Sequence, residues 1–264
     1  MDDQKQRLIQ LFNSRYGSFL HTVRFSSYGD HLCPICGGIK QSHYAYCAGC
    51  AQLFRDMGGG KLPIDYSAFG FYAVEGKGQY YTAIHDYKEP TGRFYYRFIE
   101  LMLRVDVTNH LDCVSRLAGT PVTGWANVPS SKSSRRYGQQ HPFEQLVSRA
   151  MPEGLPHIQL EATNVKTRKP QDNAFILKQS YNHASLRHVI LIDDSWVTGG
   201  SIESAALTLK RAGAHIVSSY CCARIISSSF IENTLGSGLY QQFLHFTPFI
   251  ADWCPWHRKT ERTE

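Results

Sequence analysis

The chain has 264 residues, 42% of them hydrophobic and 19% charged, which excludes a disordered or low-complexity protein and allows one large domain or a domain with a small module. Its formal charge is +6, with 12 histidines besides, a mild tilt toward phosphates, nucleotides or nucleic acid. No run approaches the roughly 20 apolar residues of a membrane span. The opening "MDDQKQRLIQLF" lacks the apolar core of a signal peptide, so a cytoplasmic protein with no membrane partner is expected.

Residues 1–30 predict an amphipathic helix, with Leu8, Ile9, Leu11 and Phe12 on one side, then an irregular stretch. Residues 31–54, "HLCPICGGIKQSHYAYCAGCAQLF", hold four of the eight cysteines as two CxxC pairs, Cys33 with Cys36 and Cys47 with Cys50. Two close pairs supply four thiolates in a tetrahedron, the donor set of structural Zn2+, and leave no position open for a substrate. Disulfides or a redox CxxC are the alternatives, less suited to a reducing compartment. Gly37 and Gly38 allow backbone N–H groups to turn toward the sulfurs; His43, between the pairs, is expected on the surface.

"MGGGKLP" follows as a linker. Residues 66–87 predict two aromatic-rich strands around a Glu-Gly-Lys-Gly turn. Residues 93–117 predict a helix with apolar spacing at Phe94, Phe98, Leu101, Met102 and Val105, broken near Thr108 and Asn109 and ended by Gly119, Thr120 and Pro121. Beyond it the pattern alternates: strand 124–128, helix 142–151, strand 158–161, a basic segment 163–173, a short helix 173–179, buried strand 189–192, helix 201–212 and strand 215–226. Alternating strands and helices imply an α/β fold with a parallel sheet covered on both faces. Near the end of the chain, Asp252, Cys254 and His257 are metal-ligating types without an evident fourth partner, and Trp253 and Trp256 are expected to pack the tail onto the domain.

The chemistry concentrates in "VILIDDSWVTGGS", residues 189–201. Four apolar residues make a central parallel strand, and ligands in such sheets bind beyond the carboxyl ends of the strands. Thr198, Gly199, Gly200 and Ser201 then open a helix. Successive backbone N–H groups, two hydroxyls and a helix N-terminus favour a phosphate there. Asp193 and Asp194 would repel that phosphate directly, so they should face neutral hydroxyls or a divalent cation. A ribose 5-phosphate meets both demands.

This stretch is similar to the phosphoribosyl-diphosphate motif of type I phosphoribosyltransferases: four apolar residues, two acids, three variable positions, then Thr-Gly-Gly-Thr/Ser. The resemblance implies transfer of phosphoribosyl to a nitrogen acceptor with release of diphosphate, and Mg2+ bound with the diphosphate. It implies Asp193 and Asp194 on the ribose hydroxyls and Thr198, Gly199, Gly200 and Ser201 on the 5-phosphate. A second, diphosphate-binding loop is expected after strand 124–128, where Ser130 and Ser131 allow close backbone approach and Lys132 and Arg135 meet the leaving group. Lys166, Arg168 and Lys169 would form a basic flap over the reacting centre. Tyr80 and Tyr81 are candidates to stack an acceptor base under a hood made by the hairpin and the zinc module.

The order of parts, a four-Cys module, an aromatic segment containing Asp86, Tyr87 and Lys88, then the Asp-Asp motif, resembles the competence protein ComF family over about residues 31–226. The loop after Val128 and Pro129 departs from that family's Arg-Gly-Phe-Asn-Gln pattern, which leaves the acceptor open. The expected division is a helix and zinc module at 1–60 and a phosphoribosyltransferase domain at 61–264, with hood 66–118, core 122–226 and tail 227–264. The alternative is a non-catalytic or repurposed fold that senses nucleotide or accompanies single-stranded nucleic acid or a protein partner in a DNA-uptake or defence system; a homo-oligomer is compatible with either.

Overall fold

Residues 3–23, 31–76, 78–89, 92–130, 141–165, 167–236, 249–250 and 252–257 are described by the computed structural model. Their strands are β1 (Tyr66–Val74), β2 (Gly124–Asn127), β3 (Leu160–Ala162), β4 (Phe175–Leu177), β5 (His188–Trp196) and β6 (Ile216–Ile226). Four of them form one sheet in the order β1-β6-β5-β2, and each neighbouring pair is parallel. Parallel strands need long crossovers, and the helices that provide them cover the sheet. These are α1 (Asp3–Tyr16), α2 (Ala48–Asp56), α3 (Gly78–Asp86), α4 (Arg93–Met102), α5 (Leu111–Ala118), α6 (Pro142–Ala150), α7 (Gly200–Arg211) and α8 (Ser228–Leu235).

Side chains alternate across the pleat, so each central strand feeds two cores. Val189 and Leu191 of β5, with Val217 and Cys221 of β6, face Ile202, Ala205, Ala206 and Leu209 of α7 and the buried cysteine segment. Ile190 and Ile192, with Tyr220 and Cys222, face α1, α4 and α6 through Phe12, Phe98, Met102, Phe143 and Leu146. The parallel sheet covered on both faces is therefore as the alternating pattern implied, and this architecture with its N-terminal four-cysteine cluster agrees with a phosphoribosyltransferase-like fold. No helix among the described residues is long and apolar enough to cross a membrane.

Local chemistry sets the helix ends around the sheet edge. Pro142 starts α6, where its missing N–H costs nothing, and the His141 ring accepts from Phe143 N at 3.2 Å. Lys210 and Arg211 in the last turn of α7 oppose the helix dipole there. The helix expected over 93–117 is present but broken: α4 passes through a π-helical turn at Leu103–Val107 and a 3-10 turn at Thr108–His110 before α5.

Three expectations are corrected. Residues 66–87 are not a hairpin: β1 is followed by α3. The partner of β1 is β6, in parallel, and α3 buries Ala83 and Ile84. The segment expected as a helix over 173–179 contains strand β4. The strand expected at 158–161 does not extend the main sheet; β3 pairs antiparallel with β4, leaving a bridge from Trp125 to His157 as its link to β2.

Candidate functional site

β5 runs on past its apolar residues to Trp196, so Asp193 and Asp194 are still in extended backbone when they reach the carboxyl edge of the sheet. They open into a cleft of about 350 Å³. Its floor is the strand ends: Ser195 and Val197 after the acids, Ile225 of β6, Glu75 after β1, and Val128, Pro129 and Ser130 after β2. Tyr81, Ile84 and His85 of α3, with Lys88 just beyond it, make one wall, and His141 and Phe143 make another.

The two acids differ. Asp193 Oδ1 accepts from Asp194 N at 2.8 Å. Burial, and then the charge of Asp194, pushes the Asp193 carboxyl well above the usual carboxylate range. Burial acts most strongly, against charge on Asp194, and the Lys88 ammonium, 2.6 Å from Oδ2, opposes it. Tyr87 donates to the same oxygen at 2.9 Å and Ser195 to Oδ1 at 2.9 Å. Together these hold Asp194 below the usual range. Tyr87 is buried and pairs its ring with Phe143 at 6.1 Å, so the phenol is fixed where it meets the acid.

The Thr-Gly-Gly-Ser turn follows at once. Gly199 is the N-cap of α7 with φ 86°, a conformation that favours glycine. A Cβ there would lie 2.4 Å from the Trp196 ring, and one on Gly200 would lie 2.2 Å from the Thr167 carbonyl oxygen. The backbone of Thr167 and Arg168 thus rests on the turn. Thr198 Oγ1 donates to Arg168 O at 3.3 Å, and the hydroxyls of Thr167 and Ser201 are 2.5 Å apart. The first N–H groups of α7 have no partners within the helix, which makes its start an anion-favouring end.

Among residues singled out from sequence, Asp193, Asp194, Ser201 and Ser130 line one cleft. Thr198 borders the adjoining groove with Cys47, Val197 and Arg224. Ser131, Lys132, Arg135 and Lys166 lie outside the described residues. Of the two tyrosines, Tyr81 lines the cleft, whereas Tyr80 packs on Phe71 and Phe19. Lys88, His85, Glu75 and His141 also line the cleft, and Tyr87 reaches it through Asp194, without a functional signal in the local sequence. Tyr87 and Lys88 stand out in the sequence only through the family-like segment that holds them, because nothing local marks a lysine as the partner of an acid over a hundred residues away.

The cysteine cluster lies beside this turn. The Sγ atoms of Cys33, Cys36, Cys47 and Cys50 all lie within 4.8 Å of one another and all four residues are buried. Cys36 and Cys47 sulfurs are 3.5 Å apart, close to the edge of about 3.8 Å that a tetrahedron of Zn–S bonds of about 2.3 Å requires. Gly38 N donates to Cys36 Sγ at 3.4 Å and Cys50 N to Cys47 Sγ at 3.5 Å. Hydrogen bonds from Cys33, Cys47 and Cys50, with the Arg224 cation, hold Cys36 well below the usual thiol range despite its burial. The donor set fits zinc, and these four residues can hold it. Arg224, 8% exposed, reaches from β6 to Cys36 Sγ at 3.4 Å and Cys36 O at 3.0 Å, and to Trp196 O at 3.2 Å.

A stretch of 98 residues is 26% identical to part of a ribose-phosphate pyrophosphokinase of Coxiella burnetii (strain RSA 493 / Nine Mile phase I), covering 37% of this chain and 29% of that protein. The chain therefore matches less than a third of that relative's length. No protein-family model matches the chain, and no solved structure matches it.

Proposed function

We propose that this chain binds phosphoribosyl diphosphate at the carboxyl edge of its sheet and acts as a phosphoribosyltransferase-like protein of the ComF type. The observation that carries the reading is the convergence of Asp193, Asp194, Ser201 and Ser130 on one cleft, next to the glycine turn that opens α7. The partial similarity to a ribose-phosphate pyrophosphokinase supports the same ligand class. In this reading the α7 N-terminus, with Thr198 and Ser201, takes the 5-phosphate, and the acids take the ribose hydroxyls. Lys88 already neutralises Asp194, and it sits where the diphosphate would also find a cation. Mg2+ bound with the diphosphate would offset the charge of the leaving group. Lys132 and Arg135, which follow β2 in the sequence, would act on that same group. The chain's own task is to hold the sugar, keep water out and stabilise charge as diphosphate leaves C1 with its bonding electrons. A nitrogen acceptor then forms the new bond to C1.

Calorimetric titration with phosphoribosyl diphosphate and Mg2+ tests this. Binding is expected in the wild type and should be lost in an Asp193→Asn/Asp194→Asn variant that still melts cooperatively. Equal affinity in the two proteins would remove the site. The ion pair of Lys88 with Asp194 favours a second reading, a sensor that binds without turnover, because one acid is already occupied. Diphosphate release with candidate amines separates the two. A cleft that ignores the sugar but shows salt-dependent affinity for single strands would point to nucleic acid instead.

A further inference from the structure

The 3-10 turn before α5 and the turn at the end of the described chain meet in space, and each brings a pair of metal-ligating residues spaced by two positions: His110 with Cys113, and Cys254 with His257. His110 and Cys113, three residues apart where the 3-10 turn meets α5, bring Nδ1 and Sγ to 3.5 Å. In the second pair, His257 N donates to Cys254 O at 3.1 Å, which closes a turn around these two residues. Ligand atoms of His110, Cys113 and Cys254 lie within 4.8 Å of one another, while the exposed His257, in the same turn as Cys254, stands outside that group.

We propose that His110, Cys113 and Cys254 bind a second Zn2+, with His257 reaching the fourth position by rotation of its exposed side chain. Two thiolates and two imidazoles in tetrahedral array suit Zn2+ better than harder cations. The His110 ring is 6% exposed, and it turns Nδ1 toward Cys113 Sγ, so Nδ1 is the ligand atom of this site. On binding, each thiol gives its proton to solvent and its sulfur to the metal. All four positions are filled by protein, so the ion is a staple. It ties the turn carrying Trp256, which is buried 6.0 Å from the Tyr220 ring, to the entry of α5.

The test is metal content of the full chain purified without chelator. Two zinc per chain are expected, falling to one in Cys113→Ser/Cys254→Ser. One zinc in the wild type, with no change in that variant, overturns the proposal. Reconstitution with Co2+ gives a readout that does not need the double variant to fold. The wild-type spectrum should contain tetrahedral bands of a two-sulfur, two-nitrogen site beside those of the four-sulfur site; four-sulfur bands alone would refute it. Thiol titration of the denatured, unreduced chain should find all eight cysteines free. Six would mean a Cys113–Cys254 disulfide in place of the metal. His257→Ala should weaken zinc binding at this site at least tenfold, and unchanged affinity removes His257 from it.

Discussion

Arg224 Nη2 lies 3.4 Å from Cys36 Sγ while Nη1 of the same guanidinium lies 3.2 Å from the carbonyl oxygen of Trp196. One buried cation thus joins the cysteine cluster to the segment that leads from the paired acids into the glycine turn. The cluster and the cleft are one mechanical unit through this side chain. Arg224→Met should cost about 3–5 kcal/mol, because a thiolate cluster and several carbonyls lose their buried partner. Arg224→Lys should recover little, since one ammonium cannot reproduce the planar fork. Denaturant unfolding and zinc retention measured together check this; a variant as stable and as zinc-replete as the wild type would show the contact to be incidental.

The glycine pair makes a steric prediction. Gly200→Ala places a methyl against the Thr167 carbonyl oxygen, and Gly199→Ala adds a left-handed backbone to a collision with the Trp196 ring. Each should destabilise the chain by about 1–3 kcal/mol and reduce sugar-phosphate affinity more than it reduces stability. Thermal melts beside calorimetric titration separate the two effects.

Lys88 sets the charge of Asp194, and the sign is definite. Asp194 is held below the usual carboxylate range, so its charged form persists as pH falls. In Lys88→Met the carboxyl loses its main stabilising partner and its pKa rises. Ligand affinity that depends on this carboxylate should therefore be lost at a higher pH on acidification than in the wild type. Affinity measured across an acidic pH series, for both proteins, reads this shift directly; superimposable curves would separate Lys88 from the site.

Two buried acids predict a pH-dependent stability of opposite sense to the usual paired carboxylate. Burial pushes Asp106 up to about 7, despite a 2.6 Å hydrogen bond from Tyr220, and pushes Glu203 up to about 8. Each folded-state pKa lies above its unfolded value, so the folded chain holds protons that the unfolded chain has released. Their contribution is complete below the unfolded values and is lost as pH rises through about 7 and about 8. Unfolding free energy should therefore fall by a few kcal/mol between about pH 6 and pH 8, a window in which thiolate metal ligands stay bound. Asp106→Asn should flatten part of that slope. An unaltered slope would place the protons elsewhere.

What the sequence determined by itself is what acts within a dozen residues. The apolar run before Asp193 and Asp194 makes a central strand whichever partners it finds, and Gly199 and Gly200 allow the turn that starts α7. The CxxC spacing of Cys33, Cys36, Cys47 and Cys50 brings sulfurs close because two short chelates need little help to close. Tertiary structure decided the rest. Whether residues 66–87 became a hairpin or a strand and a helix depended on β6 offering β1 a parallel edge, and pairing between distant segments leaves no local mark. Tyr87 meets Asp194 across 107 positions, and Arg224 meets Cys36 across 188. The meeting of His110 and Cys113 with Cys254 is of the same kind. Such contacts exist because the sheet and its covering helices bring those side chains together, and residue spacing along the chain carries no trace of that geometry.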